Sequence, residues 1–303
     1  MSHGSSSFVI SNRKQSCCGH KKLQGGVSAQ VTKLEIELPE GVVRKLLARR
    51  HGEADRSRNP HIAREEYKLL QQLTAAGLPV PKPHAVLSSF GDAPLIVTEF
   101  VEGESILSLD QIPDAEQQLA DRLSDIHRLP WERYELRFLP KQGDRCSAKL
   151  KNRPGQLDDS LWEGRIRDKL ESVWPLKHTN NEALLHGDFW PGNVIWKDGS
   201  IAAVIDWEDA ALGDPLFDLA NARLELLWAS GIRAMEKFTE RYQTRNPHLD
   251  YAGLPAGFIR CAETRLGVIR LGACTRRREA NARKAPPVCR TSFGKDFGLK
   301  EMH

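Results

Sequence analysis

His186-Gly187-Asp188-Phe189-Trp190-Pro191-Gly192-Asn193, running on through Val194-Ile195-Trp196 and followed by Ile205-Asp206-Trp207-Glu208, holds three oxygen-bearing side chains at short spacing. An aspartate in a loop can accept a hydroxyl proton, an asparagine five residues later can reach a metal, and a second aspartate can complete that metal's oxygen shell. Singly, Asp188, Asn193 and Asp206 are ordinary turn formers. In combination they point to phosphoryl transfer.

The spacing explains how they could meet. Val194 to Trp196 is apolar and β-prone, Lys197-Asp198-Gly199-Ser200 reads as a turn, and Ile201 to Ile205 reads as the returning strand. Such a hairpin brings Asn193 and Asp206 together at its open end. Mg²⁺ takes hard oxygen ligands and keeps waters and substrate phosphates in the rest of its shell, so one amide and one carboxylate suffice when a nucleotide supplies the remainder. Asp188 is then left to orient a nucleophile.

With Gly213-Asp214-Pro215-Leu216-Phe217-Asp218-Leu219-Ala220 downstream, this arrangement resembles the aminoglycoside phosphotransferase family, relatives of the protein kinases that phosphorylate small molecules. The resemblance implies an α+β, protein-kinase-like two-lobed fold, with a small antiparallel-sheet N-lobe and a mainly helical C-lobe. It implies Asp188 as catalytic base, Asn193 and Asp206 as ligands of Mg²⁺, and ATP as donor, with GTP the alternative. His186 becomes a brace for the loop rather than a base.

The family also needs a phosphate cradle, a base on the phosphates and a carboxylate to hold that base. Gly25-Gly26-Val27-Ser28 precedes the β-rich Val31 to Leu38, which suits a glycine turn whose backbone N–H groups face phosphate; Gly25, Gly26 and Ser28 are its candidate contacts. Neither G-x-G-x-x-G nor G-x-x-x-x-G-K-[ST] occurs, which disfavours the P-loop class. Val42 to Leu47 reads as the third strand, where Arg44 and Lys45 compete for the family's phosphate-binding base. Alternation lets only one of them face the cleft, and Arg44 is preferred. A helix is expected from about Pro60 to Gly77 on the repeat of Ile62, Leu69, Leu70 and Leu73, and Glu66 on it is the expected partner of that base, with Glu65 in reserve. Leu95 to Gly103 reads as a strand ending at the family's hinge, where backbone atoms from Glu99 to Val101 would contact adenine.

Further helices are expected at Pro113 to His127 and Ala220 to Trp228. The acceptor is a small molecule bearing a hydroxyl, a cationic one such as an aminoglycoside if Asp158, Asp159, Glu163, Glu208 and Asp209 line its pocket. A metabolic kinase acting on choline, homoserine or another amino alcohol is the alternative, and an inactive pseudokinase or binding protein is a third reading.

The 303 residues, 40% hydrophobic and 28% charged, suffice for one large or two modest cores. No apolar run approaches a membrane span and the N-terminus lacks the blocks of a secretion signal, so a cytoplasmic protein without a membrane partner is expected. Six cysteines without C-x-x-C spacing read as reduced thiols. Residues 270 to 303 hold nine bases against three acids, a local +6 in a chain of net charge +4, but without the aromatic interleaving of a specific nucleic-acid surface. The expected organisation is a disordered or divergent tail over 1–21, a nucleotide-binding N-lobe over 22–101, a catalytic and acceptor-binding C-lobe over 102–272 and a basic, poorly ordered tail over 273–303. The resemblance covers about 22 to 255. Beyond it Arg276 to Pro287 has no apolar face, which suggests a divergent or frame-shifted terminus; a related locus encoding the same tail in frame would overturn that idea.

Overall fold

The computed structural model describes residues 16–23, 29–38, 41–88, 93–106, 109–157, 163–175 and 180–253. Gly25, Gly26, Ser28, Asp158, Asp159 and the basic tail lie outside them. The chain divides into two compact units at Glu102/Gly103.

In the N-terminal unit, strands β1 (Ser16–Leu23), β2 (Ala29–Glu37) and β3 (Val43–His51) are followed by helices α1 (Glu53–Arg58) and α2 (Ile62–Ala75), then by β4 (Pro83–Leu87) and β5 (Leu95–Glu99). The five strands form one sheet in the order β1-β2-β3-β5-β4, every neighbouring pair antiparallel. Strand β1 starts at Ser16, inside the stretch expected to be tail; its sequence Ser-Cys-Cys-Gly-His-Lys-Lys-Leu lacks the apolar alternation that marks a half-buried strand.

One face of the sheet carries a core of Leu34, Ile36, Leu46, Ala48, Leu95 and Val97. Leu46 and Ala48 alternate along β3, so residues 45, 47, 49 and 51 take the other face. Helix α2 buries Ile62, Glu66, Leu69, Leu70 and Leu73, a stripe at i, i+4, i+7, i+8 and i+11 that includes one carboxylate. The helix stops at Gly77 (φ +79°), where Leu78 N–H donates to Leu73 C=O at 3.0 Å, a closure that needs the left-handed conformation glycine adopts without strain.

The C-terminal unit opens with β6 (Glu104–Ser105), followed by helices α3 (Ala115–His127), α4 (Gln142–Lys151) and α5 (Glu163–Val173), then strands β7 (Ala183–Leu185), β8 (Val194–Lys197), β9 (Ser200–Val204) and β10 (Ala211–Gly213), and lastly helices α6 (Leu216–Ser230) and α7 (Ile232–Arg245). Strands β6, β8 and β9 form one small antiparallel sheet and β7 with β10 another. Leu119, Leu123 and Ile126 of α3 and Phe238 and Tyr242 of α7 are almost wholly buried. The paired guanidinium contacts of Arg241 on Asp121, at 2.7 and 2.8 Å, tie α7 to α3. Cys146 is buried, and Gln142 Nε2 donates to its Sγ at 3.6 Å. Among the described residues no helix is long and apolar enough to cross a membrane.

Candidate active site

Strands β8 and β9 meet at a two-residue turn in which both Asp198 (φ +50°) and Gly199 (φ +76°) are left-handed, the Asp-Gly turn that matches the twist of a tight hairpin. The open end of this hairpin is closed by Ile205, whose N–H donates to Asn193 C=O at 2.9 Å and whose C=O accepts from His186 Nε2 at 3.0 Å. Both strand ends and the loop before β8 are thereby joined at one residue, and Asp206 follows directly with φ +68°. The hairpin expected from spacing alone is present with nearly the expected ends.

His186 is fully buried. Its Nε2 faces a carbonyl and so carries the proton, while Nδ1 accepts from the N–H of Asp188 at 3.2 Å. Burial pushes the imidazole below the usual histidine range, against the charges of Asp218, Asp206 and Asp209 that favour the cation. Neither ring nitrogen is left for proton transfer, and the ring lies tilted on Trp207 with centroids 4.5 Å apart. The residue holds the loop.

Asp188 is half-buried. The side-chain amide of Asn193, 7% exposed, donates from Nδ2 to Asp188 C=O at 2.8 Å and to Asp188 Oδ2 at 3.2 Å. With its nitrogen on two acceptors, the amide's Oδ1 is the atom available as a metal ligand. Asn193 Oδ1 and the Asp206 carboxylate are the hard oxygen donors that Mg²⁺ selects. Among the described residues no group of three or more His, Cys, Asp or Glu side chains could form a metal cage, so a metal here would draw the rest of its shell from phosphate and water.

The loop is anchored from beneath by Asp218 on the first turn of α6, a residue to which the sequence alone assigns no role. Its fully buried carboxylate accepts from His186 N–H at 2.6 Å and Gly187 N–H at 2.9 Å. His127 Nε2 lies 3.3 Å from the same carboxylate, and its Nδ1 accepts from Tyr242 O–H at 2.5 Å. An acid inside the apolar run Leu216-Phe217-Asp218-Leu219-Ala220 is the signal that could have marked it as a buried anchor. Gly187 completes the turn at φ +84°, where a Cβ would stand 2.2 Å from Asp209 C=O. Gly187→Ala is therefore expected to cost about 2 kcal/mol or more, from left-handed strain and the clash together. A thermal melt beside an activity assay checks it; an unchanged melting temperature would mean that the loop can move away from Asp209.

In the N-terminal unit the structure corrects the expected pairing of the phosphate base. Glu66, 6% exposed, bonds not to Arg44 or Lys45 but to Arg49, whose Nη1 donates to Oε1 at 2.7 Å, while His51 Nε2 lies 2.7 Å from Oε2. Arg44 lies on the Leu46/Ala48 face, opposite to Arg49, and its charge, second to burial, depresses the pKa of His84. Lys45 shares the face of Arg49 but stands about 13 Å back along the strand and pairs with Glu102 at 2.5 Å. Strand β3 runs on to His51, four residues beyond the apolar stretch that suggested it. Burial alone would raise the Glu66 carboxyl; the Arg49 charge and the His51 hydrogen bond outweigh it, and its pKa falls below the usual range. Glu65, the reserve, accepts instead from Asn59 Nδ2 at 2.7 Å.

At the end of β5, Glu99 N–H donates to Lys82 C=O at 2.8 Å and Phe100 N–H to Lys45 C=O at 3.2 Å. Of the acidic residues considered for an acceptor pocket, Glu163 is buried and its Oε1 lies 3.3 Å from Arg167 Nε, so its charge is neutralised within the fold.

An antiparallel sheet with one helix presenting a buried glutamate to a strand arginine, followed by a mainly helical unit carrying the Asp188–Asn193–Asp206 loop and hairpin, defines a protein-kinase-like α+β fold. The profile of the phosphotransferase enzyme family (APH) matches residues 20–253. The chain belongs to that family. It is 28% identical over 186 residues to acyl-CoA dehydrogenase family member 11 of Pongo abelii, covering 55% of this chain and 23% of that protein. It is 36% identical over 88 residues to hygromycin-B 4-O-kinase of Escherichia coli, covering 29% and 24% respectively. The chain thus spans about a quarter of the length of these curated relatives. A thermostable mutant of aminoglycoside phosphotransferase APH(4)-Ia, solved as a ternary complex with ADP and hygromycin B, superposes with a TM-score of 0.62 at 19% identity, over 88% of this chain and 92% of that one. That likeness is one of fold.

Proposed function

We propose that the chain transfers the terminal phosphoryl group of Mg²⁺-ATP, with GTP the alternative donor, to a hydroxyl of a small molecule. The observation that carries the reading is the double contact of Asn193 Nδ2 on Asp188, which fixes the carboxylate that would meet the acceptor and leaves the amide's Oδ1 as the atom that would meet a metal. Asp188 accepts the hydroxyl proton as the oxygen attacks phosphorus, and the leaving nucleoside diphosphate departs in line. Asn193 and Asp206 would hold Mg²⁺, which neutralises the triphosphate when bound. Arg49, aimed by Glu66, takes the phosphate role first sought at Arg44 or Lys45. Gly25, Gly26 and Ser28 remain the candidate phosphate cradle, and the backbone of Glu99 to Val101 the candidate adenine contact.

Aminoglycosides are the first acceptors to try, because the hygromycin-B kinase relative acts on one. A relative named homoserine kinase, from Gluconobacter oxydans and 27% identical over 163 residues, favours a second class, a metabolic amino alcohol, with choline and homoserine as starting cases. The first test is thermal stabilisation by ATP and GTP with and without Mg²⁺, since a ligand that binds only the folded state raises apparent stability by about 2.7 kcal/mol at a hundredfold excess over its Kd. A Mg²⁺-dependent rise in melting temperature is the expected outcome. A cooperative melt that neither nucleotide shifts would overturn the reading.

A further inference from the structure

Glu66 uses its two oxygens differently: Oε1 takes the Arg49 guanidinium and Oε2 takes the His51 ring, each at 2.7 Å. Residues 49 and 51 stand two apart on one face of β3, so a single carboxylate from α2 grips the strand at two successive positions. A carboxylate bonded through one oxygen can still rotate about its terminal torsion, which is broad for glutamate. A second bond on the other oxygen fixes the plane, and with it the direction in which Arg49 is held. The His51 side chain is wholly buried, and its main-chain carbonyl accepts from Arg56 Nη1 at 2.6 Å, which ties the grip to α1.

The other ring nitrogen makes this more than packing. His51 Nδ1 is buried and meets no partner among the described residues. A buried polar atom without a partner costs stability, and an apolar side chain would fill the same space without that cost. The ring contributes through Nε2 alone, and Nε2 touches Glu66.

We propose that His51 is a positioning residue for the nucleotide phosphates, acting through Glu66 Oε2 to fix the carboxylate that aims Arg49. The proposal rests on the phosphotransferase reading given above. His51→Leu removes the donor, whereas His51→Gln retains an amide N–H within reach of the same oxygen. His51→Leu is expected to raise the KM for Mg²⁺-ATP about tenfold with the acceptor KM within about twofold of wild type, and His51→Gln to recover most of the difference. Equal KM rises in both variants, or no rise in His51→Leu, overturn the proposal.

A second measurement needs no nucleotide and separates this proposal from the functional reading. His51→Leu should lower the melting temperature in the otherwise wild-type chain but much less in a Glu66→Leu background, where the oxygen it serves is gone. Equal losses in both backgrounds show that His51 does not act through Glu66. Failure of wild type to bind Mg²⁺-nucleotide would overturn the function instead, while leaving the grip to be judged by the melts. If His51→Leu alone does not fold, His51→Gln and the double leucine variant carry the comparison.

Discussion

Asp188→Ala is expected to lower kcat by about a thousandfold or more while leaving the affinity for Mg²⁺-nucleotide within about twofold of wild type. Asn193 does not need the Asp188 carboxylate in order to present its own oxygen. The Asn193 amide keeps its 2.8 Å bond to the Asp188 carbonyl, which the substitution does not remove. Ile205 keeps its bond to Asn193. The proposed metal ligands therefore stay in place while the proposed proton acceptor is lost. Asp206→Ala should act in the opposite sense, weakening nucleotide binding in the presence of Mg²⁺ and having little effect on binding without it. Single-turnover transfer and nucleotide titration on the two variants separate the roles. Equal loss of nucleotide affinity in both would show that Asp188 is itself a metal ligand, and the assignment of the base would have to move.

The readability of this site in sequence follows the distance over which each contact acts. The loop and hairpin that carry Asp188, Asn193 and Asp206 were legible because the apolar runs around Asp198-Gly199 fix that hairpin locally. Glu66 was legible through the family resemblance, which calls for a glutamate on this helix, and the structure puts its carboxylate on the buried stripe of α2. Its partner was not. The apolar stretch that marks the strand stops at Leu47, and the pairing that extends β3 to His51 comes from Ala29 to Val31 on the neighbouring strand. Propensity and composition do not encode that register. Asp218 escaped assignment for a related reason, since the amides it holds lie 32 and 31 residues earlier in the chain. Strand β1 lies at the edge of the described sheet, and its sequence lacks the apolar alternation that would have announced it.

Asp218→Ala is expected to be the most damaging substitution to the C-terminal unit, and the reason is one of hydrogen-bond bookkeeping. The carboxylate is fully buried, and its charge is tolerated because two backbone N–H groups, the N-terminal turn of α6 and the His127 ring all face it. Alanine leaves the His186 and Gly187 amides without an acceptor. At about 1 to 3 kcal/mol for each stranded donor, the loss is roughly 2 to 6 kcal/mol, a large fraction of the 5 to 15 kcal/mol that typically holds a domain together. Asp218→Asn keeps one oxygen for one amide but turns an N–H₂ group towards the other donor, so it should fall between wild type and alanine. Urea unfolding of the three proteins measures the order. Activity should disappear in Asp218→Ala even below the urea midpoint, because the loop that carries Asp188 loses the two bonds that fix its entry. A loss below about 1 kcal/mol would mean that water enters and takes over both amides, and that the position of Asp188 is held by His186 and Asn193 without help from α6.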